Sequence, residues 1–398
     1  MAAKRGITIT RQGIYYLAVL GFLFAGAILR DINLLMVLFG LMLGPLLYNW
    51  QVARYGLSRI EVSRTLPKRI VAGDRLEIEI QATNRGRRCG WALILEDRLR
   101  LESSGEPVAP VKPEVYVPRL PRRSTRRTVY HGRLYQRGRY TLGPLSITTR
   151  FPFGLIQHRV VQDVQDRLLV LPAVGRLTPQ WSQVVQDLAG TGQQARRRQG
   201  VVEGDYHGLR KWRSGDSRRW IHWRTSARQG ELMVRQFEQH RNQDLLLIVD
   251  LACDDPKSLA QREAVELAVS FAATVVATLC RQGGGRLVVG VAGRKSIISS
   301  GTSSRALMED VMETLAVAEA TPEDCLAETI DACLETIPRS TRAILISTRG
   351  VDLKDTQRFA TPWDDPRKRA WLSRALCIDA SSDALDAYFQ PFAMEPIS

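Results

Sequence analysis

The chain has 398 residues, 44% of them apolar, so it can bury a sizeable core and, at the usual size of a folding unit, form two or three domains. Wholesale disorder is excluded. Lysine and arginine number 56 against 41 aspartates and glutamates, a formal charge of +15, which favours anionic partners such as phosphate backbones or acidic lipid head groups.

The charge is unevenly placed. Up to and including Arg241 there are 40 basic and 18 acidic side chains, whereas beyond it there are 16 basic and 23 acidic ones. Cys89, Cys253, Cys280, Cys325, Cys333 and Cys377 form no CxxC pair and sit mostly in apolar runs. That pattern predicts buried free thiols in a reducing compartment rather than a disulfide framework or a zinc site.

Ile14 to Leu29 is uncharged and largely apolar, Arg30 and Asp31 interrupt, and Ile32 to Trp50 is again apolar apart from Asn33 and Asn49. Each run is close to the roughly 20 residues that cross hydrocarbon. The shorter first run can be accommodated by snorkelling arginines or a thinned bilayer. No cleavage site followed by a soluble start separates the runs, so a two-pass hairpin with spans 14–29 and 32–50 is predicted in place of a signal peptide. Lys4, Arg5 and Arg11 precede it, and Arg54, Arg59, Arg64, Lys68 and Arg69 follow. The positive-inside rule then puts both termini and the bulk of the chain in the cytoplasm, beneath the inner membrane. Basic residues close to an anionic leaflet gain roughly 1 kcal/mol each, which makes anionic lipids an expected partner.

After the hairpin, Leu76, Ile78 and Ile80 alternate with polar neighbours, Asn84-Arg85-Gly86 reads as a turn, and Trp91 to Leu95 resumes an extended pattern. Further β-rich runs at Val115–Val117, Thr128–Leu134, Tyr140–Thr149 and Leu168–Leu171 are punctuated by Pro and Gly. An antiparallel β-sandwich-like domain is predicted over 56–180. Gln183 to Asp205 is polar, Gly-rich and aperiodic, the pattern of a mobile linker. From Leu245 the pattern is strand, helix, strand: Leu245–Val249, Leu287–Val291 and Ala343–Ile346 read as buried strands. Helices are expected from Asp255-Pro256 to about Gly283, from Ser304 to Ala318 and from Cys325 to Ile337. Ala264 to Leu279, apolar over most of its circumference but interrupted by Glu266, should cover the sheet rather than cross a bilayer. An open, largely parallel α/β sheet over 242–398 follows.

The densest motif lies between these domains, in 181–241. Gly208-Leu209-Arg210-Lys211-Trp212-Arg213-Ser214-Gly215-Asp216 ends in a turn. Asp216 is placed to cap a short helix carrying Arg218, Arg219, Trp220, Ile221, His222 and Trp223, on which Trp220 and Trp223 would share a face. Arg224, Arg228 and Arg235 extend the basic run, and Leu232–Phe237 reads as a strand leading towards the sheet. Three uses fit: tryptophans as core anchors with Asp216 paired to an arginine, a docking face for a protein, or a nucleic-acid surface built on Arg210, Lys211, Arg218, Arg219 and Arg224.

This segment, with Arg219, Ile221-His222-Trp223 and Ala227-Arg228, resembles the signature of the bacterial domain-of-unknown-function family fifty-eight. The resemblance extends upstream to Leu66-Pro67, Asn84-Arg85, Arg137-Gly138-Arg139-Tyr140, Leu142-Gly143-Pro144 and Pro152-Phe153-Gly154-Leu155. It implies a membrane-anchored protein whose last domain is von Willebrand factor A-like, encoded beside a MoxR-type AAA+ ATPase, and it makes Arg210, Trp212, Gly215, Asp216, Arg219, His222, Trp223 and Arg228 the candidate binding residues. Trp212 stands where an aromatic, often Tyr, is expected.

Von Willebrand A domains hold Mg²⁺ through Asp-x-Ser-x-Ser, because the ion needs several hard oxygens. Here Asp250 keeps the first place, but Ala252 and Asp254 replace the two serines, and Arg349 in Ser347-Thr348-Arg349-Gly350 takes the acidic place of the later loop. Asp250 and Asp254 therefore form at most a degenerate metal site, and Arg349 can pair with either and replace the ion. No cofactor is expected. No Ser or Cys nucleophile motif accompanies the five histidines, and Gly283-Gly284-Gly285 lacks the GK[ST] ending of a phosphate loop and reads as a helix stop. The expectation is a non-enzymatic adapter. The alternatives are the nucleic-acid module and a metal-dependent enzyme centred on Asp250, Asp254 and His222.

Overall fold

The computed structural model describes residues 3–30, 32–57, 59–102, 111–185, 205–213, 216, 218–238, 244–255, 258–337, 341–351, 353 and 374–392. The chain divides into two compact units, Met1–Leu171 and Pro172–Ser398.

The first unit begins with a strand that hydropathy did not announce: β1 (Ala3–Ile9) precedes helices α1 (Arg11–Arg30) and α2 (Asn33–Gly56). The helices contain the two apolar runs, and both are long and apolar enough to cross a membrane. They expose large apolar side chains such as Phe22, Leu29 and Leu34, which is unfavourable in water and favourable in hydrocarbon.

The strands that follow are β2 (Ile60–Thr65), β3 (Arg69–Val71), β4 (Arg75–Asn84), β5 (Gly90–Glu96), β6 (Leu99–Glu102), β7 (Glu114–Leu120), β8 (Thr125–Arg133), β9 (Gly138–Leu142), β10 (Leu145–Thr149), β11 (Ile156–Gln162) and β12 (Asp166–Leu171). They form three sheets, ordered β1-β11-β10-β5-β7, β3-β12-β9-β6 and β2-β4-β8. All pairings are antiparallel except β3 with β12. Ile60, Val62, Ile80 and Ala82 of the three-stranded sheet share one buried cluster with Leu93, Leu95, Val117, Leu120, Leu145, Ile147 and Val160 of the five-stranded one. The alternation along β4 thus points its apolar face into a sandwich. The run Tyr140–Thr149 is two strands in different sheets, separated at Gly143, whose φ of +124° suits glycine.

Because β1 enters the five-stranded sheet before α1, and β2 enters the three-stranded sheet after α2, both ends of the helical pair return to one body. A bilayer crossed by α1 is crossed back by α2.

One buried ion cluster joins the sheets. Arg64 on β2, fully buried, donates from Nε to Asp166 (2.8 Å), from Nη1 to both oxygens of Asp97 (2.6 and 2.8 Å), and from Nη2 to the carbonyls of Leu142 (2.8 Å) and Val164 (3.2 Å). Tyr130 Oη donates to the buried Asp97 carboxylate at 2.8 Å, and burial, followed by that neighbouring charge, pushes the phenol well above its ordinary range.

In the second unit, β13 (Arg176–Leu177) pairs with the final strand, Phe389–Gln390. Gly175 N donates to Thr274 Oγ1 and Ser270 Oγ donates to Ala173 O. Residues 172–180 therefore pack with the second unit and not, as their position after the β-rich runs predicts, with the sandwich. The strands β14 (Asp205–Lys211) and β15 (Met233–Glu238) flank helix α3 (Trp223–Gln229). The body then runs β16 (Leu245–Asp250), α4 (Leu259–Gln282), β17 (Arg286–Ala292), β18 (Ile297–Thr302), α5 (Arg305–Val317), α6 (Leu326–Thr336), β19 (Arg342–Ser347), β20 (Leu376–Asp379) and β21 (Phe389–Gln390).

The sheet order is β18-β17-β16-β19-β20, with β18 antiparallel at the edge and the rest parallel. β16 is buried at every position, as a central parallel strand covered on both faces must be. α4 has the length and apolarity of a span, yet Ala264–Ala277 is mostly buried, and Phe271 packs against Trp181 and Phe389. It starts at Leu259 after Ser258, not at the expected Asp255-Pro256, and stops at Gly283, whose positive φ (+67°) and N–H bond to Leu279 O make the helix stop. Gln183–Asp205, predicted as a linker, lies outside the described residues from 186 to 204.

Replacing Arg64 with Met leaves Asp97 buried without its cation, and is expected to lower stability by about 3–5 kcal/mol. Urea-dependent proteolysis of the first unit measures it. Arg64→Lys should recover little, since one ammonium cannot serve five acceptor contacts, and an unshifted midpoint in the Met variant would show that the cluster does not stabilise the sandwich.

Candidate functional site

The Arg/Trp segment folds as its own small hairpin. β14 and β15 pair antiparallel, with Arg210 opposite Val234 and Lys211 opposite Met233, and a bulge between Tyr206 and Gly208. The strand expected at Leu232–Phe237 is β15, and it pairs with β14 in a two-stranded ribbon of its own. Inside it, Ile221 bridges Val234, and Ile221, Met233 and Val234 form a buried pad.

Arg210 grips Asp216 through two parallel hydrogen bonds of 2.7 Å each, and Asp216 Oδ2 also accepts from Arg213 N at 2.8 Å. Bidentate charge-assisted pairs fix geometry as well as charge. Asp216 therefore pairs with an arginine, as one of the three readings has it, and binds the Arg213 amide; it does not cap a helix, which corrects the other expectation placed on it. The Arg210 hydrogen bonds, and then the Arg213 amide, hold the Asp216 carboxyl below the usual carboxylate range, while the same pair raises Arg210.

The cap is His222. Its Nδ1 accepts from Thr225 N at 3.2 Å and from Thr225 Oγ1 at 2.8 Å, so the neutral ring carries its proton on Nε2. His222 N donates to Met233 O, and Ser226 Oγ accepts from Met233 N at 2.8 Å, which fastens the helix start to β15. Histidine is absent from the usual roster of capping residues, so no local signal marks this role.

Trp220 ends a short 3-10 turn (Arg218–Trp220) and Trp223 opens α3, so no single helix aligns them. Trp220 is half-buried, whereas Trp223 is 66% and Trp212 37% exposed, beside exposed Leu232. The core-anchor role therefore does not fit Trp223. Arg218, Arg219, Arg224 and Arg228 are exposed with it. Gly215 lies outside the described residues. The result is a basic segment with exposed aromatics, in which Asp216 and the Nδ1 of His222 are each taken by local hydrogen bonds.

The second candidate region is the carboxyl edge of the parallel strands. Asp250, 2% exposed at the end of β16, accepts from Ser347 Oγ at 2.8 Å. Arg349 Nε lies 3.6 Å from Asp250 Oδ2, and its Nη2 donates to Asp324 at 3.0 Å. Thr348 Oγ1 donates to Ala252 O. The guanidinium thus lies against the carboxylate that a cation would need, as the motif departure anticipated, while Asp254 is exposed. Among the described residues no three His, Cys, Asp or Glu side chains converge as a metal site. The donor set does not fit Mg²⁺, which needs several free hard oxygens. Asp324, the second partner of Arg349, belongs to no motif and was missed.

Burial, and then the charges of Glu323, Glu328, Asp324 and Asp250, push the Cys325 thiol up, and burial with Asp254 and Asp255 does the same for Cys253. Both are poor thiolate nucleophiles.

Residues 208–360 match the family described as protein of unknown function DUF58. That segment is similar to the DUF58 family. A relative from Bacillus subtilis (strain 168), the uncharacterized protein YeaD, is 26% identical over 256 residues, 63% of this chain. The chain spans about three fifths of that relative's length, 61%. Among solved structures, a β-glucosidase from Listeria innocua aligns with 28% of this chain and 16% of its own at 16% identity and a TM-score of 0.20. The CARDB domain of a Pyrococcus furiosus protein covers 28% of this chain and 87% of its own at 12% identity and a TM-score of 0.18. Likenesses this slight carry no argument. The DUF58 match begins within β14 and runs through β19, so it takes in most of the hairpin and the α/β body up to, but not including, β20 and β21.

The Arg210–Asp216 pair carries a signed pH dependence. Because the folded pKa of Asp216 is depressed, its contribution is present above the ordinary carboxylate value and is lost as pH falls through the lowered one. Hydrogen exchange at the Arg213 amide is expected to accelerate over that acidic window only, and in Asp216→Asn to be fast at every pH. Equal protection in the two proteins would remove the pair as the clamp of this turn.

Proposed function

We propose that this DUF58 protein is a non-enzymatic, membrane-anchored scaffold. In this reading the α1–α2 pair is a two-pass anchor in the inner membrane, both termini and the bulk of the chain are cytoplasmic by the charge bias, and the α/β body, von Willebrand factor A-like, is presented to a protein partner. The family resemblance makes a MoxR-type AAA+ ATPase the candidate partner. The open α/β sheet with its strand ends at one edge supports the von Willebrand A reading, since partners of such sheets bind at that edge.

One observation carries the proposal: Trp223, Trp212 and Leu232 stand exposed among arginines on a hairpin held rigid by the Arg210–Asp216 clamp. Exposed Trp and Arg on a preorganised support are the usual anchors of protein interfaces. The seating of Arg349 on Asp250 argues against a metal-centred enzyme, because the buried carboxylate already has its cation. No cofactor is part of the proposal.

The test uses the full-length protein in detergent with a purified MoxR-type ATPase. Binding is expected, and Trp223→Ala should weaken it by about 2 kcal/mol, near thirtyfold, as hot-spot truncations do, while leaving the unfolding transition unchanged. If no complex forms and ATP turnover is unaltered, the scaffold reading fails. Binding of single-stranded DNA that falls steeply with salt and is lost in Arg219→Ala would replace it with the nucleic-acid reading.

A further inference from the structure

The turn between β10 and β11, Phe151-Pro152-Phe153-Gly154-Leu155, is held not by the sandwich alone but by the bases of the two apolar helices. Thr10 N donates to Leu155 O at 3.0 Å, and Thr10 Oγ1 donates to Gly154 O at 2.6 Å. Asn49 on α2, fully buried, has its amide oriented so that Nδ2 donates to Phe151 O (3.2 Å) and Oδ1 accepts from Ile156 N (3.0 Å). Leu155 and Ile156 pack against Tyr16 and Leu46. Gly13 faces the same turn so closely that a Cβ there would lie 2.1 Å from Leu155 O.

These contacts fix the depth of the turn. The helical pair turns after Arg30, the charged last residue of α1, and α2 starts at Asn33. At about 1.5 Å per residue, hydrocarbon about 30 Å thick ends roughly 20 residues back along each helix, near the start of α1 and near Val52 on α2. Tyr48, whose ring centroid is 6.4 Å from that of Phe153, is therefore about 25 Å from the tip, on the hydrocarbon side of that boundary. Tilt carries it deeper.

The chemistry of the turn agrees with that depth. Irregular backbone is tolerated near hydrocarbon only where its polar groups are satisfied. Here Phe151 O, Gly154 O, Leu155 O and Ile156 N are taken by Thr10 and Asn49, Gly154 N bonds Arg150 O, and Phe151 N bonds Thr149 Oγ1. Proline 152 brings no N–H. The side chains left outside are aromatic: Phe153 is 52% exposed, and Tyr48, Trp50 and Trp91 are exposed with it. Trp91 stacks on Phe151 and carries the Arg119 guanidinium 5.0 Å from its ring centre, an aromatic body with a cationic head suited to the acyl–headgroup boundary.

We propose that this turn is an interfacial wedge that inserts Phe153 into the phospholipid acyl–headgroup boundary, so that the β domain grips the leaflet through side chains outside the helices. The proposal rests on α1 and α2 crossing the bilayer, and does not depend on the identity of the protein partner.

The test places p-benzoylphenylalanine in the full chain, reconstituted in nanodiscs of phosphatidylcholine and phosphatidylglycerol, and weighs the irradiated protein for lipid adducts. Phe22, on α1 within the span, reports insertion of the helices; Val129, exposed on β8 of the other sheet, is the aqueous control. Phe153→p-benzoylphenylalanine is expected to give lipid adducts several-fold above the Val129 position, with Trp91 as a second probe should position 153 disturb folding. Adducts at 22 but none at 153 or 91 would overturn the wedge and leave the anchor standing. Adducts at none of these positions would overturn both, and equal yield at 129 would overturn the wedge by removing its selectivity.

Discussion

The sandwich depends on a guanidinium that has no water. Arg64 spends its five N–H groups on two carboxylates and two carbonyls, and those acceptors come from the β5–β6 junction, β9 and the β11–β12 segment. Arginine is suited to such a place because its planar fork reaches several acceptors at once and never loses its charge. Burying an ion is costly and is tolerable only when every partner is present. The three sheets must therefore be in register together. Tyr130 completes the shell around Asp97, and its raised pKa is the mark of a phenol buried beside a charge.

The same logic of a charge fixed by an opposite charge recurs twice in the second unit, with different exposure. Arg210 and Asp216 meet near the surface, where the pair's value lies in shape: it holds a turn and the strand beside it while the tryptophans remain uncovered. Arg349 meets Asp250 at a strand end that could otherwise attract an ion, and Ser347 shares that carboxylate. In each case the arginine restricts what the site can do. The first makes a rigid platform, and the second supplies the positive charge from within.

Much of this architecture was legible because its signals are local. The apolar runs announced α1 and α2, the uninterrupted Leu245–Val249 run announced the central strand, and the altered Asp-x-Ser-x-Ser pattern announced the Arg349 substitution. What escaped depends on distant partners. β1 carries Lys4, Arg5 and Gly6, which have no strand signature; it is a strand because β11, far along the chain, offers an edge. Arg64 read as one of several membrane-flanking charges, since nothing near it in sequence shows that its acceptors converge. His222 took the cap expected of Asp216 for a similar reason. Local rules favour the aspartate, and the outcome was set by Arg210, which engages Asp216, and by Thr225 and Met233, which hold His222.

The pairing of β1 with β11 also imposes an order on biosynthesis. Lys4 lies opposite Val161 and Ile9 opposite Ile156, so a strand translated before the helical pair finds its neighbour only after about 150 further residues have been added, roughly 8–30 s at ordinary elongation rates. Throughout that interval β1 waits without its sheet neighbour, while the helical pair that follows it is already made. Closure of the five-stranded sheet is therefore a late event in synthesis, one that follows completion of both apolar helices.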